Sequence, residues 1–281
     1  KSAINKEDKL TLALLFALIV AIGLFRFVPL QYRLIDRPPE PVATIATLLF
    51  LGAFVGGLTS LLRKGAMRVA LAGWLFVIIG LFVVLKWDLL ATAVSQQWRL
   101  YLGQDPTLAT GSNLAWLGFS YVAFRLIHTV RDRQVGILPA LSLREYSNYV
   151  LFAPAYIAGP IDRVERFVDD LRNLPTMHGL DAPHFADAGQ RIAIGAFKKF
   201  VIADTLAQGM SLTATNAAQG QSTGMLWLLL YGYALRLYFD FSGYTDIAIG
   251  IGLLFGIRLP ENFKRPYLQS NITTFWQSWH A

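Results

Sequence analysis

Three early runs of apolar residues set the frame: Leu10 to about Leu30, Val42 to Leu62, and Val69 to Trp87. A helix that crosses a bilayer needs roughly 20 mostly apolar residues, so each run predicts a spanning helix. Polar residues are confined to the joints. The first joint carries Arg33, Asp36, Arg37, Pro38, Pro39 and Glu40, and the second carries Arg63, Lys64 and Arg68. Lys1, Lys6 and Lys9 fall on the side of the second joint, whereas Arg26, Arg33 and Arg37 fall on the other. The excess of Lys and Arg predicts a cytoplasmic N-terminus. Ala21-Ile22-Gly23 is a weak match to a cleavage site, but no polar sequence follows it, so the first run reads as a spanning helix and not a signal peptide. The chain opens on Lys1 and not on Met, from which a natural N-terminus further upstream is expected.

Beyond Trp87 the pattern changes. Leu89 to Leu102 is amphipathic, with Gln96, Gln97 and Arg99, and predicts a helix at the interface. Leu114 to Ile127 is apolar but short, with Arg125 and His128 at its end. Tyr146 to Ile161 is apolar but broken by Pro154 and by Gly159-Pro160. Broken backbone at membrane depth must be buried in protein or line a cavity, so a pocket or pore is expected in this middle third. Asp162 to Ala188 reads as a charged loop, followed by an amphipathic stretch from Arg191 to about Met210 that carries Lys198 and Lys199. Met225 to Phe241 and Ile247 to Ile257 read as an apolar pair separated by a polar knot, where Gly243 is expected to let the chain bend. Arg258 to Ala281 is polar, aromatic and basic, and no internal repeat is visible.

Composition turns this pattern into a class. Only 15% of the 281 residues are charged and 54% are hydrophobic, against roughly 25% charged in soluble domains. A soluble chain so apolar would expose large patches and aggregate. The 7 Trp and 11 Tyr suit a protein that marks two membrane–water boundaries. A net charge of +7 raises nucleic acid as a partner. The basic residues, however, sit mostly in short loops between apolar runs, where they set orientation, so no nucleic acid is expected. With no cysteine, disulfides, thiolate metal sites and a cysteine nucleophile are excluded. His178 and His184 are six apart, a spacing that matches no common metal-ligand pattern, and no metal site is expected.

Four constellations can carry chemistry. The first is Tyr238-Phe239-Asp240-Phe241-Ser242-Gly243-Tyr244-Thr245-Asp246. A charge at bilayer depth costs at least ~2.5 kcal/mol, so Asp240 and Asp246 must face the interior and have partners. Either they serve a site, or they bond loop backbone or pair with a base such as Arg236 or Arg258. The second runs from Pro260-Glu261-Asn262-Phe263 and Pro266-Tyr267 to Phe275-Trp276-Gln277-Ser278-Trp279-His280. If Asn271 caps a helix, His280 follows Trp276 by four and shares its face. There it is either a neutral imidazole able to accept a proton from a hydroxyl, or a histidine snorkelling among aromatics. The third is Ser120-Tyr121, Phe124-Arg125 and His128, with Arg125 and His128 on one helix face; a helix end at the interface explains it equally well. The fourth is Phe152-Ala153-Pro154 with Gly159-Pro160-Ile161 and Arg163, a rigid break that shapes a passage or merely turns the chain.

In this order, these motifs resemble the membrane-bound O-acyltransferase (MBOAT) family, most of all its bacterial branch that acts on alginate and teichoic acid. The resemblance covers about Leu114 to Ala281. It implies an all-α polytopic membrane protein, in which residues 1–110 are N-terminal transmembrane helices. Residues 111–281 are then the N-terminal and central part of a multi-helix core with broken and interfacial helices. It further implies transfer of an acyl group, acetyl above all, from a cytoplasmic thioester donor to a hydroxyl of an exported polysaccharide or other envelope glycan. The donor is an acyl-CoA or an acyl-carrier thioester, and no bound cofactor is implied. Membrane lipid, the donor and an extracytoplasmic acyltransferase are the implied partners, and the bacterial cytoplasmic membrane is the implied location. By the resemblance His280 assists at the reaction centre. Asp240, Ser242, Tyr244, Asp246, Asn262, Tyr267, Trp276, Trp279, Arg125, His128 and Arg163 then line the substrate site or tunnel.

Two departures stand out. Gln277-Ser278 occupies the place where many bacterial relatives carry basic residues, which removes the expectation of a phosphate contact there. The family's main catalytic histidine lies on a later helix, beyond Ala281, so a C-terminally truncated core is expected. Two other function classes remain open on sequence: a transporter or flippase for a polysaccharide precursor or polyol, and a non-catalytic subunit. The ordered Trp-His tail is the feature that discriminates, because transport has no evident need for it.

Overall fold

The computed structural model describes residues 6–32, 44–45, 48–49, 67–111, 118–174, 182–219 and 222–279. Of the three expected spans, the second therefore lies almost wholly outside the described residues. The first and third are helices α1 (Lys6–Leu24) and α2 (Met67–Lys86). Both are long and apolar enough to cross a membrane. Leu10 and Leu14 on α1 are each 62% exposed, and Phe76 on α2 is 80% exposed. Such side chains would be a liability in water but are at home against lipid tails. Helix α3 (Asp88–Tyr101) is amphipathic as the pattern predicts, with Ala91 and Ser95 on its buried side.

Helix α4 (Phe119–Val135) runs well past the expected end near His128. Arg125 is therefore in mid-helix and buried, not at an interfacial end. Hydropathy hid this, because the buried face of α4 includes Arg125, Thr129 and Asp132 as well as Val122 and Ala123. The helix enters through Gly118 and leaves through Gly136, both left-handed, with φ of 79° and 85°. At Gly118 a side chain would also strike the Tyr156 carbonyl, 2.7 Å from the position of a Cβ.

The expected break in the middle third is present. Helix α5 (Leu143–Val150) stops before Phe152, and the short α6 (Ala153–Tyr156) restarts with Pro154 in its first turn, where proline leaves no orphan donor. Arg125 fills the gap. Its Nη1 donates to the carbonyls of Tyr149 (3.2 Å) and Val150 (3.3 Å), and Nη2 donates to that of Ala155 (2.6 Å). The guanidinium also lies 5.7 Å from the centre of the Tyr149 ring. A helix end leaves carbonyls without partners, and a buried arginine can satisfy several at once.

The charged stretch from Asp162 is not the expected loop. It folds as α7 (Val164–Asn173). Val164, Phe167, Val168 and Leu171 recur at helical spacing and pack into the main core with Tyr149, Ala155, Ala248, Ile249, Ile257 and Leu259. The period was present in the sequence, but the intervening charges masked it.

Glu145 ties α5 to α7. It caps α5 through the Ser142 backbone (2.8 Å) and accepts from Arg172 Nε (2.6 Å). The Arg172 hydrogen bond, against a smaller opposing effect of burial, holds the Glu145 carboxyl down at about 2. A depressed carboxylate stabilises the fold fully above its ordinary value near 4.5 and loses that contribution as pH falls toward 2. Replacing Glu145 with Gln is thus expected to flatten the acid limb of melting temperature against pH, measured in detergent between pH 5 and pH 3. An unchanged limb would rule this pair out as its origin.

Two helices dominate the second half. Helix α8 (Ala182–Ala196) continues into a π-helical turn, Phe197–Ala203, and then α9 (Asp204–Ala207). After α10 (Ala214–Ala218), helix α11 (Thr223–Leu254) runs unbroken for 32 residues. That corrects the expected pair with a bend at Gly243. At 1.5 Å per residue α11 is about 48 Å long, more than the roughly 30 Å hydrocarbon core. Gly243 serves contact instead. A Cβ there would lie 2.7 Å from the Gly195 carbonyl and 2.8 Å from the Lys199 nitrogen. One at Gly250 would lie 2.9 Å from the Ala188 carbonyl. Ala188 and Gly195 on α8 thus meet Gly250 and Gly243 on α11, an antiparallel pair with small residues at the seam that lets the backbones touch.

Helix α12 (Ile272–Ser278) starts at the predicted cap, with the Asn271 side chain accepting from the Thr274 amide at 2.9 Å. It stops at Ser278, and Trp279 is extended. The helical spacing expected to stack His280 on Trp276 is therefore already lost at Trp279; His280 itself lies outside the described residues.

Candidate active-site cleft

The backbone contact of α8 with α11 brings side chains of both helices to one side of the seam. Asp246 is the hub. Its Oδ1 accepts from Arg191 Nε at 2.8 Å, and its Oδ2 from Lys198 Nζ at 2.6 Å. Arg191 reaches on to Glu261 Oε2 at 2.5 Å. Lys199, next to Lys198 in the π turn, pairs with Asp240 one and a half turns along α11. A π turn is wider than an α turn and recurs where a helix must place functional side chains irregularly. Here adjacent lysines reach two different carboxylates. The partners of the acids are thus Arg191, Lys198 and Lys199. Neither base expected from sequence pairs with these acids among the described residues; Arg236 donates instead to Ser211 Oγ at 3.3 Å.

Beside this network lies a cleft of about 260 Å³, lined by Arg191, Ile194, Lys198, Tyr238, Ser242, Thr245, Asp246, Glu261 and Phe263. Ser242 is 3% exposed, and its Oγ has no hydrogen-bond partner among the described residues. Thr245 is held by the fully buried Asn262, whose Nδ2 donates to its Oγ1 at 3.3 Å. That bond pins the turn after α11 and so positions Glu261 and Phe263 on the cleft.

The far wall is aromatic. Phe263 and Trp279 face each other across an antiparallel bridge, and the Lys264 amide donates to the Ser278 carbonyl at 2.9 Å. The Tyr238 ring lies 5.4 Å from Phe263, 5.5 Å from Tyr267 and 6.1 Å from Trp279. Tyr267 is fixed to α11 by its hydroxyl, which donates to the Ala234 carbonyl at 2.9 Å. Arg265, with φ of 51°, turns the chain between these elements. Such edge-to-face packing orders the rings relative to one another.

The structure therefore gathers Ser242, Asp246, Asn262, Tyr267 and Trp279 in and around one cleft, with Asp240 in the flanking ion pair. The other expected site residues do not line it. Tyr244 points to the opposite side of α11, beside Tyr121 and the Ala158 backbone. Arg125 fills the α5–α6 break. His128 Nδ1 lies 3.5 Å from Asp132. Arg163 is exposed at the start of α7, and Trp276 is 63% exposed. Sequence reading missed Arg191 and Glu261 as site residues. The available signal was that Ala188, Arg191, Gly195 and Lys198 share a helical face, on which the small residues mark a contact and the bases need acids opposite.

The chain is similar to known proteins. A probable alginate O-acetylase of Pseudomonas syringae pv. tomato is 40% identical over 182 residues, covering 64% of this chain and 33% of the relative. A teichoic acid D-alanyltransferase of Bacillus subtilis is 31% identical over 198 residues, covering 69% and 49%. A peptidoglycan O-acetyltransferase of Helicobacter pylori is 40% identical over 136 residues, covering 48% and 25%. The chain thus spans a minor part of the length of these relatives. The profile of the membrane-bound O-acyltransferase family matches residues 71–281, which include α3 to α12, the cleft and its aromatic wall. Matched over most of its length, the chain belongs to the membrane-bound O-acyltransferase family.

Proposed function

We propose that this chain forms part of a membrane-embedded O-acyltransferase of the bacterial cytoplasmic membrane, with its N-terminus in the cytoplasm. It moves an acyl group, acetyl above all, from an acyl-CoA or acyl-carrier thioester to a hydroxyl of an envelope glycan. The observation that carries the reading is the Phe263–Trp279 bridge, which packs a tryptophan of the family motif against Phe263 on the wall of a polar cleft. The names of the relatives support the class of reaction, because each denotes transfer of an acyl group to a polymer of the envelope. In the proposed step the acceptor hydroxyl gives up its proton to an imidazole, with His280 assisting the family's main histidine. The oxygen attacks the thioester carbonyl, the carbon–sulfur bond breaks, and the thiolate leaves and takes up a proton. An extracytoplasmic acyltransferase is the proposed partner.

The test is incubation of the full-length protein in proteoliposomes with radiolabelled acetyl-CoA and alginate or peptidoglycan fragments. Label on the glycan is expected. Glycan uptake into the vesicles without label transfer would instead support a transporter.

A further inference from the structure

We propose that the cleft between α8 and α11 is the acceptor subsite, holding one hydroxylated sugar ring and not the phosphate-bearing end of the thioester donor. The inference rests on the transferase reading above. Three observations carry it.

The first is charge. The cleft holds two cations, Arg191 and Lys198, and two anions, Asp246 and Glu261, and all four are engaged with one another. Two carboxylates thus balance the two cations, so the cleft offers a phosphate no net positive charge. Sugar hydroxyls act differently. Each both donates and accepts, so it can add to the free lone pairs of a carboxylate already held by a cation without breaking the pair.

The second is Ser242. A buried hydroxyl without a partner is uncommon, and a ligand that supplies one removes the cost of leaving it unmet. The third is shape. At about 260 Å³ the cleft is smaller than the roughly 300–1,000 Å³ of pockets for drug-sized ligands, which suits a single ring. Tyr238 and Phe263 give it an apolar side, and the C–H groups of a pyranose are attracted to the negative face of an aromatic ring.

The test uses the full-length protein in detergent micelles. Binding of N-acetylglucosamine and mannuronate oligomers is measured by saturation-transfer titration, and binding of coenzyme A by calorimetry. Ser242→Ala removes one hydrogen bond, expected to weaken binding of at least one sugar oligomer by about 3- to 10-fold. Coenzyme A binding is expected to stay within about twofold, since no anion site is touched. Because the lost hydroxyl has no partner among the described residues, the variant is expected to melt no lower than the parent. Tyr238→Leu, which keeps apolar bulk but removes the ring, provides a second, independent loss. Sugar binding indifferent to both substitutions, or a loss confined to coenzyme A, overturns the subsite. Sugar binding that depends on Ser242, in a protein that transfers no label, overturns the transferase reading alone.

Discussion

Full-length protein carrying His280→Ala is expected to transfer acyl groups about 10²- to 10⁴-fold more slowly, the range typical of a positioned general base. A hydroxyl is a poor nucleophile until its proton has somewhere to go, and the cleft's other candidates are occupied. Asp246 is held by Arg191 and Lys198, and Glu261 by Arg191. Trp279, the neighbour of His280 in sequence, packs against Tyr238, Phe263, Tyr267 and Phe275. Initial rates at saturating acetyl-CoA, with melting temperature as a folding control, measure the effect. A rate within threefold of the parent in a folded variant would remove His280 from the chemistry.

Gly243→Ala is expected to cost the fold about 3 kcal/mol, the upper part of the range for overpacked sites. The added methyl would meet the Gly195 carbonyl and the Lys199 amide, both backbone atoms that cannot rotate away. Relief requires α8 to move off α11, and that movement would stretch the contacts of Asp246 to Arg191 and Lys198. Activity is therefore expected to fall together with melting temperature. Gly189→Ala, on the same α8 but with nothing within 4 Å, is the control. It is expected to raise stability by up to about 1 kcal/mol, as in any helix interior. Equal effects of the two substitutions would show that the seam has no special role.

Some of this protein was legible in the order of its residues. The presence of α1 and α2, the amphipathic α3, the break at Phe152-Ala153-Pro154 and the Asn271 cap were set by local rules of hydropathy, proline and capping. Those rules act over a few residues and need no neighbours. The Tyr238–Asp246 run and the Phe-Trp-x-x-Trp-His tail were likewise recognisable as family motifs, although their resemblance gave no geometry.

Other features were not local. Gly243 looks the same in a sequence whether it bends a helix or admits another backbone, and only the approach of Gly195 shows the second use. Arg125 looks like a helix end until the carbonyls of Tyr149, Val150 and Ala155, some 24 to 30 residues away, come to its guanidinium. The helix α7 was hidden because its apolar face is narrow and is satisfied only by a core built from α5, α6 and α11. Above all, the two acids of the polar knot had to have cationic partners if they lie at bilayer depth, but which ones depended on a helix 41 to 55 residues away in sequence. The sequence by itself determined a membrane-bound acyltransferase relative with acids and a histidine to place. Only the tertiary structure decided that Arg191 and Lys198 close the charge around Asp246, leaving Ser242 and an aromatic wall open. Charge pairing of that kind is a property of helices in contact, not of the chain that forms them.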